Sequence, residues 1–177
     1  MPQAVELPAE VATVQHQRRG VFGRRKSTLR SQRQTEEQRA PSIAELVASM
    51  RHEPHREPLL EQIEVAGETY HVKGIARVFG DLGLPITDAG CTAEDLTCIL
   101  VPEPWNEHDP NAVAVAVGEH HVGYLPADIA VDYAPPLLQL GSTNTLATGL
   151  ARIWAKSDAG MIRARVTIRI PECDACW

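Results

Sequence analysis

The sequence predicts a small, mostly β barrel of about six strands with one inserted helix, carried on a chain that begins with a basic arm. Three observations lead there. Short runs rich in Val, Ile and Leu alternate with turn residues from Glu64 to Ile170. One stretch after Pro126 has helical spacing instead. Thirteen Pro and twelve Gly in 177 residues call for many turns, and that length suits one domain with tails.

Residues 1–40 hold eight Lys/Arg against four Asp/Glu, and the stretch from Arg18 to Lys26 is basic and broken by glycine. Such a composition buries too little apolar surface to offset chain entropy, which predicts a disordered arm. Its expected role is a solubilising leader or a phosphate-binding arm. Residues 41–62 read as a short helix and a linker. Ser42 and Glu45 fit a capping box, and Ile43, Leu46, Val47 and Met50 recur at helical spacing. Arg51 to Pro58, with His52, Pro54 and His55, reads as the linker.

The barrel is expected over residues 63–171. Tyr70 to Phe79 is rich in β-formers and reads as a strand, and Gly80 to Ala93 as a loop. Leu96 to Val101 and Ala112 to Val117 are continuous apolar runs, hence buried strands. Gly118-Glu119 turns the second of these into His121–Leu125, a hairpin. Pro126 suits the first turn of a helix that Pro135-Pro136 should interrupt. The last hairpin runs from Thr145 to Lys156, through Ser157–Gly160, to Met161–Ile170.

Alternation puts Arg163, Arg165, Thr167 and Arg169 on one face of the last strand. A loop of four residues, Ser157 to Gly160, sets Trp154 opposite Arg163, Arg152 opposite Arg165 and Lys156 opposite Met161. Five of the seven cations beyond residue 62 then share a face with Trp154. Such a face suits a phosphate backbone and a stacked base.

Charge limits the functional classes. Net charge is −6, but residues 1–40 carry +4 and residues 63–177 carry −8. An acidic body argues against broad, charge-driven DNA binding, because that affinity scales with the phosphates neutralised. No run of about 18 apolar residues is present, so no membrane span is expected. No leader pattern opens the chain, and cytoplasmic residence is the default expectation. Free thiols are therefore expected at Cys91, Cys98, Cys173 and Cys176. In the tail, residues 172–177, Cys173-x-x-Cys176 is half of a zinc-ribbon pattern. Two thiolates do not complete a tetrahedral site. Zinc or another divalent metal would need His120 and His121, or Cys91 and Cys98, to supply the rest. No cofactor is otherwise indicated.

Residues 101–126 read VPEPWNEHDPNAVAVAVGEHHVGYLP. This closely resembles the signature of the HIRAN domain family: an apolar strand, a Glu-Pro turn, Asn-x-x-Asp-x-Asn-Ala, an aliphatic strand, then Val-Gly-aromatic-aliphatic-Pro. Val65 to His71 resembles that family's first strand, and Ala127–Ala130 with Leu137-Leu138 its helix. The resemblance covers about residues 64–170. It implies an OB-like six-stranded β-barrel with inserted helices, single-stranded DNA 3′ ends as ligand, a link to DNA repair or replication, and a helicase or nuclease as partner. Lacking a P-loop, the chain looks like a free-standing member.

By the same resemblance Asp109 stands where the family reads the 3′-hydroxyl. A carboxylate accepts a hydrogen bond from a terminal hydroxyl and repels a terminal phosphate. Asn106 and Asn111 flank it and can fix the loop as Asx turns do. Tyr70 and His71 match paired aromatics that stack on the terminal base, His108 a further aromatic, and Tyr124 a phosphate-facing position. Thr69 and Ala127 fall at family positions held by arginine and lysine. The expected interface is thus Tyr70, His71, Asn106, His108, Asp109 and Tyr124, with Trp154, Arg163 and Arg165 on the sheet face.

Catalysis has little support. No Gly-x-Ser-x-Gly elbow or His-Glu-x-x-His is present. His108, Asp109, Glu103 and Glu107 make an acidic loop that could hold a divalent metal, which keeps a metal-dependent nuclease or phosphohydrolase accessory domain as the second reading. A protein-interaction adaptor without nucleic acid is the third.

Overall fold

The computed structural model describes residues 39–55, 59 and 62–171. The expected arm up to residue 38, part of the linker, and the tail with Cys173 and Cys176 lie outside the described residues. Within the unit from Ala40 onward, the chain is mostly strand.

Helix α1 (Ile43–Ser49) begins with the predicted capping box. The Glu45 N–H donates to Ser42 Oγ at 3.3 Å and the Ser42 N–H to Glu45 Oε2 at 2.7 Å. Two donors that a helix start leaves orphaned are satisfied this way. The expected linker opens instead with a short strand, β1 (Arg51–Glu53), parallel to residues 145–147. Its side chains gave no alternation to read, because two of its three residues are exposed.

Strand β2 (Ile63–Glu64) leads to a 3-10 turn (Glu68–Tyr70) and helix α2 (Val72–Asp81). The strand expected over Tyr70 to Phe79 is therefore a helix. Val72, Ile75, Val78 and Phe79 follow the 3.6-residue period, and the last three are buried. Period outweighs the β-propensity of the individual residues. Then come β3 (Cys91–Pro102), β4 (Val113–Val117) and β5 (His120–Tyr124), helix α3 (Ala127–Gly141), and the long pair β6 (Thr145–Asp158) and β7 (Met161–Arg169). Pro135 and Pro136 do not interrupt α3. They lie on a turn where Val131 and Pro135 are exposed, so water can serve carbonyls that prolines cannot.

The sheet order is β2-β7-β6-β3-β4-β5, with β1 on the far end of β6. The fold is mostly β, a curled path of six strands with the short β1 as a seventh and with inserted helices, in keeping with the OB-like architecture that the resemblance implies. The sheet curls, and the segment after β2 bridges its two edges. The Val65 N–H donates to the Val166 carbonyl at 2.9 Å, and Ala66 and Tyr124 exchange bonds of 2.8 and 2.9 Å. Gly67, at φ 75°, then turns the chain out of the barrel. Gly123, at φ 149°, lets Val65 cross, because a Cβ there would lie 2.7 Å from the Ala66 carbonyl oxygen. The main core fills the curl, with Phe79, Ile75, Leu100, Val113, Val115, Ile153 and Ile168 buried. A second cluster, Ile43, Val47, Ile99, Val101 and Leu146, seats α1 on the outer face.

The last hairpin differs from expectation in register. Its turn is two residues, Ala159 and Gly160, both at positive φ (50° and 83°), which matches the twist of paired strands. Trp154 therefore faces Arg165, Lys156 faces Arg163 and Arg152 faces Thr167. The slip is two residues, a full side-chain period, so the predicted face survives although each pair changes.

Candidate nucleic-acid interface

Helix α2 crosses the barrel over β5. Gly74 makes this possible: a Cβ there would fall on the His121 carbonyl oxygen. The close crossing leaves a cleft of about 460 Å³ between α2, the start of α1 and the β4–β5 hairpin. Tyr70, His71, Lys73, Arg77, Glu103, Glu119 and His121 line it. Tyr70 is 88% exposed and makes an open ring on the rim. His71 occupies the N-cap position of α2, without a side-chain capping bond, and does not sit on a strand.

Behind Tyr70, three rings form one cluster. His71 and His121 have centroids 3.9 Å apart at 38°, and Tyr124 meets His121 edge-on at 4.7 Å and 79°. His121 Nε2 lies 3.0 Å from the Gly123 carbonyl oxygen. That oxygen only accepts, so Nε2 carries the proton. Burial first, and then the neighbouring His71, push the His121 pKa down to about 4. Burial also lowers that of His71, against the pull of Glu103. Both rings are thus neutral at pH 7. The Tyr124 hydroxyl is pushed up to about 12, by burial and then by the charge of Glu103, to which it hydrogen-bonds.

Glu103 also anchors the loop after β3. Its Oε2 accepts from Asn106 Nδ2 at 3.2 Å. Asn106 Oδ1 accepts from the His108 and Asp109 N–H groups at 3.0 and 3.3 Å. Asp109 Oδ1 accepts from the Asn111 N–H at 2.8 Å. A run of hydrogen bonds therefore joins Tyr124, through Glu103 in the cleft wall, to Asp109. The two side chains organise the loop as Asx turns. Asp109 is half-buried and His108 exposed, so the acid is not sealed beneath its neighbours. Trp105 lies in a separate apolar groove with Leu46, Met50 and Leu138.

The sheet-face residues lie elsewhere. Trp154 (37% exposed), Arg152 and Arg165 line their own hollow with Glu64 and Glu68. Four arginines of this face are paired: Arg152 with Glu94 at 2.9 Å, Arg163 with Asp158 at 3.3 Å, Arg165 with Glu64 at 3.0 Å and Arg169 with Asp95 at 3.3 Å. A register shift in β3 between Ala93 and Leu96, with Asp95 at φ 53°, aims two of these acids at the stripe. Exposed pairs are worth only about 0.2–1 kcal/mol each, but they leave the face nearly neutral.

Sequence reasoning missed Lys73 and Arg77 as cleft residues. Their i, i+4 spacing was the signal, hidden because the segment reads as a strand. Among the described residues, no three His, Cys, Asp or Glu side chains gather as a metal site. Cys91 and Cys98 are free thiols, and burial pushes the Cys98 pKa up to about 12. No described helix is long and apolar enough to cross a membrane.

Comparison with known proteins agrees with the signature in the sequence. The family model described as HIRAN domain matches residues 94–171. This part of the chain, the strands β3 to β7 with α3, is a HIRAN domain. Two solved structures are similar to it. One is the HIRAN domain of human HLTF, at 16% identity over 63% of this chain and 76% of that one, with a TM-score of 0.31. The other is a protein from Lactobacillus plantarum, at 18% identity over 64% of this chain and 95% of that one, with a TM-score of 0.34. No curated protein matches the chain.

Proposed function

We propose that this HIRAN domain binds single-stranded DNA at its 3′ end, in the service of DNA repair or replication, with a helicase or nuclease as partner. The observation that carries the reading is the cleft itself. An open aromatic ring at Tyr70 stands at one end of it, and a run of hydrogen bonds through Glu103 and Asn106 leads from its wall to Asp109. In this reading the last base stacks on Tyr70, with His71 and His108 beside it, and Tyr124, its hydroxyl held by Glu103, supports the ring cluster from behind. Stacking is worth about 1–3 kcal/mol per base and asks for no particular base. Asp109 spends one oxygen on its loop, and the other accepts the terminal hydroxyl. A terminal phosphate would bring negative charge against it.

The test is fluorescence anisotropy with two oligonucleotides that differ only in a 3′-hydroxyl or a 3′-phosphate. The wild-type protein is expected to bind the hydroxyl end at least tenfold more tightly, and Asp109→Asn to narrow that ratio. Equal binding of both ends by the wild type overturns end reading. A metal-dependent nuclease would need a ligand group that the described residues do not form, and turnover of labelled DNA with and without chelator distinguishes it.

A further inference from the structure

We infer that Lys73 and Arg77 form a phosphate track along α2, which takes the backbone of the strand whose end sits at Tyr70; the inference rests on the single-stranded DNA reading above. Seven cations follow residue 62. Four of them, Arg152, Arg163, Arg165 and Arg169, are held by carboxylates on the sheet face. Among the described residues, no carboxylate lies within ion-pair distance of Lys73, Arg77 or Lys156. Two of these three share one helix and line one cleft.

Their placement suits a backbone. Four residues of helix rise about 6 Å, so the two side chains lie one above the other on the same face. Both are exposed, and Lys73 follows Tyr70 by three residues. A base stacked on Tyr70 would deliver its 5′ neighbours along α2. The opposite wall is acidic: Glu103 is engaged with Asn106 and the Tyr124 hydroxyl, and Glu119 faces the same space. Charge on both walls confines the phosphates to the α2 side.

The experiment is a salt titration of binding to a short 3′-hydroxyl oligothymidylate, with the full chain and three variants. Each phosphate contact on a single strand contributes a slope of about 0.7 in log K against log salt. The Lys73→Ala/Arg77→Ala variant is expected to lower the slope by about 1.4 and to keep the preference for hydroxyl over phosphate ends. Lys73→Arg/Arg77→Lys should restore the slope. Glu119→Gln should tighten binding. Both changed side chains are exposed, and an unchanged thermal midpoint shows that the fold is intact. If the wild type binds and the alanine variant shows the same slope, the track is wrong while end binding stands. If the wild type does not bind the oligonucleotide at all, the function reading itself fails and the track with it.

Discussion

One carboxylate organises the cleft wall. Glu103 accepts from the Asn106 amide and from the Tyr124 hydroxyl, so it fixes the loop that carries Asp109 to the ring cluster. Its charge disfavours the tyrosinate. Glu103→Gln should therefore bring the Tyr124 pKa down from about 12, while burial, the larger cause, keeps it above the ordinary value of about 10. Spectrophotometric titration, referenced to Tyr124→Phe, reads this directly; an unmoved pKa would show that the hydroxyl and the carboxylate are uncoupled. His121 gives a second prediction. Its folded pKa of about 4 lies below its value of 6.5 in an open chain. Between those values the unfolded state binds more protons, so stability rises with pH. The contribution is complete above pH 6.5 and is lost as pH falls through about 4. Urea midpoints across that range should drop for the wild type and drop less for His121→Gln. A parallel decline in both would mean that other groups cause it.

At the scale of elements, α2 decides where the site is. Helix propensity alone says that replacing either of its inner glycines by alanine gains up to about 1 kcal/mol. The structure separates them. Gly80 has open space around its missing Cβ, while Gly74 is pressed against the His121 backbone. Gly80→Ala should be neutral or stabilising, and Gly74→Ala should cost about 1–3 kcal/mol as an overpacked contact. Chemical denaturation of the two variants tests the crossing, and equal effects would contradict it. This helix is also where the sequence misleads. Tyr70, Val72, Ile75, Val78 and Phe79 are β-formers by type, yet their spacing is helical, and reading type before spacing hid Lys73 and Arg77. The capping box at Ser42 and the valine hairpin at residues 113–124 were legible because each rests on neighbours in sequence. The bridging of the barrel was not. It depends on Val65 and Ala66 meeting Val166 and Tyr124 across the fold, and nothing local announces it beyond the glycines that permit it. The sheet-face stripe was legible as a face, because a slip of two residues preserves it, but its partners were not. Glu64, Glu94 and Asp95 reach the arginines only through β2 and the irregular stretch of β3.

At the scale of the whole molecule, two of the three cations beyond residue 62 that have no carboxylate partner among the described residues, Lys73 and Arg77, line one cleft, while Lys156 lies on the sheet face. The paired arginines around Trp154 predict that Arg152→Ala/Arg165→Ala changes single-stranded DNA affinity less than threefold at about 0.15 M salt, where exposed pairs are screened. The same measurement on Lys73→Ala/Arg77→Ala should show a clearly larger loss. Two faces with aromatic rings and cations thus compete for one ligand, and a map of contact decides between them. The most direct measurement is photo-crosslinking of an oligonucleotide carrying 5-iodouracil at its 3′-terminal position, with the attached residue found by mass spectrometry. Attachment to Tyr70, His71 or His108 is the predicted result. Attachment to Trp154, in the separate hollow on the sheet face, would contradict the account.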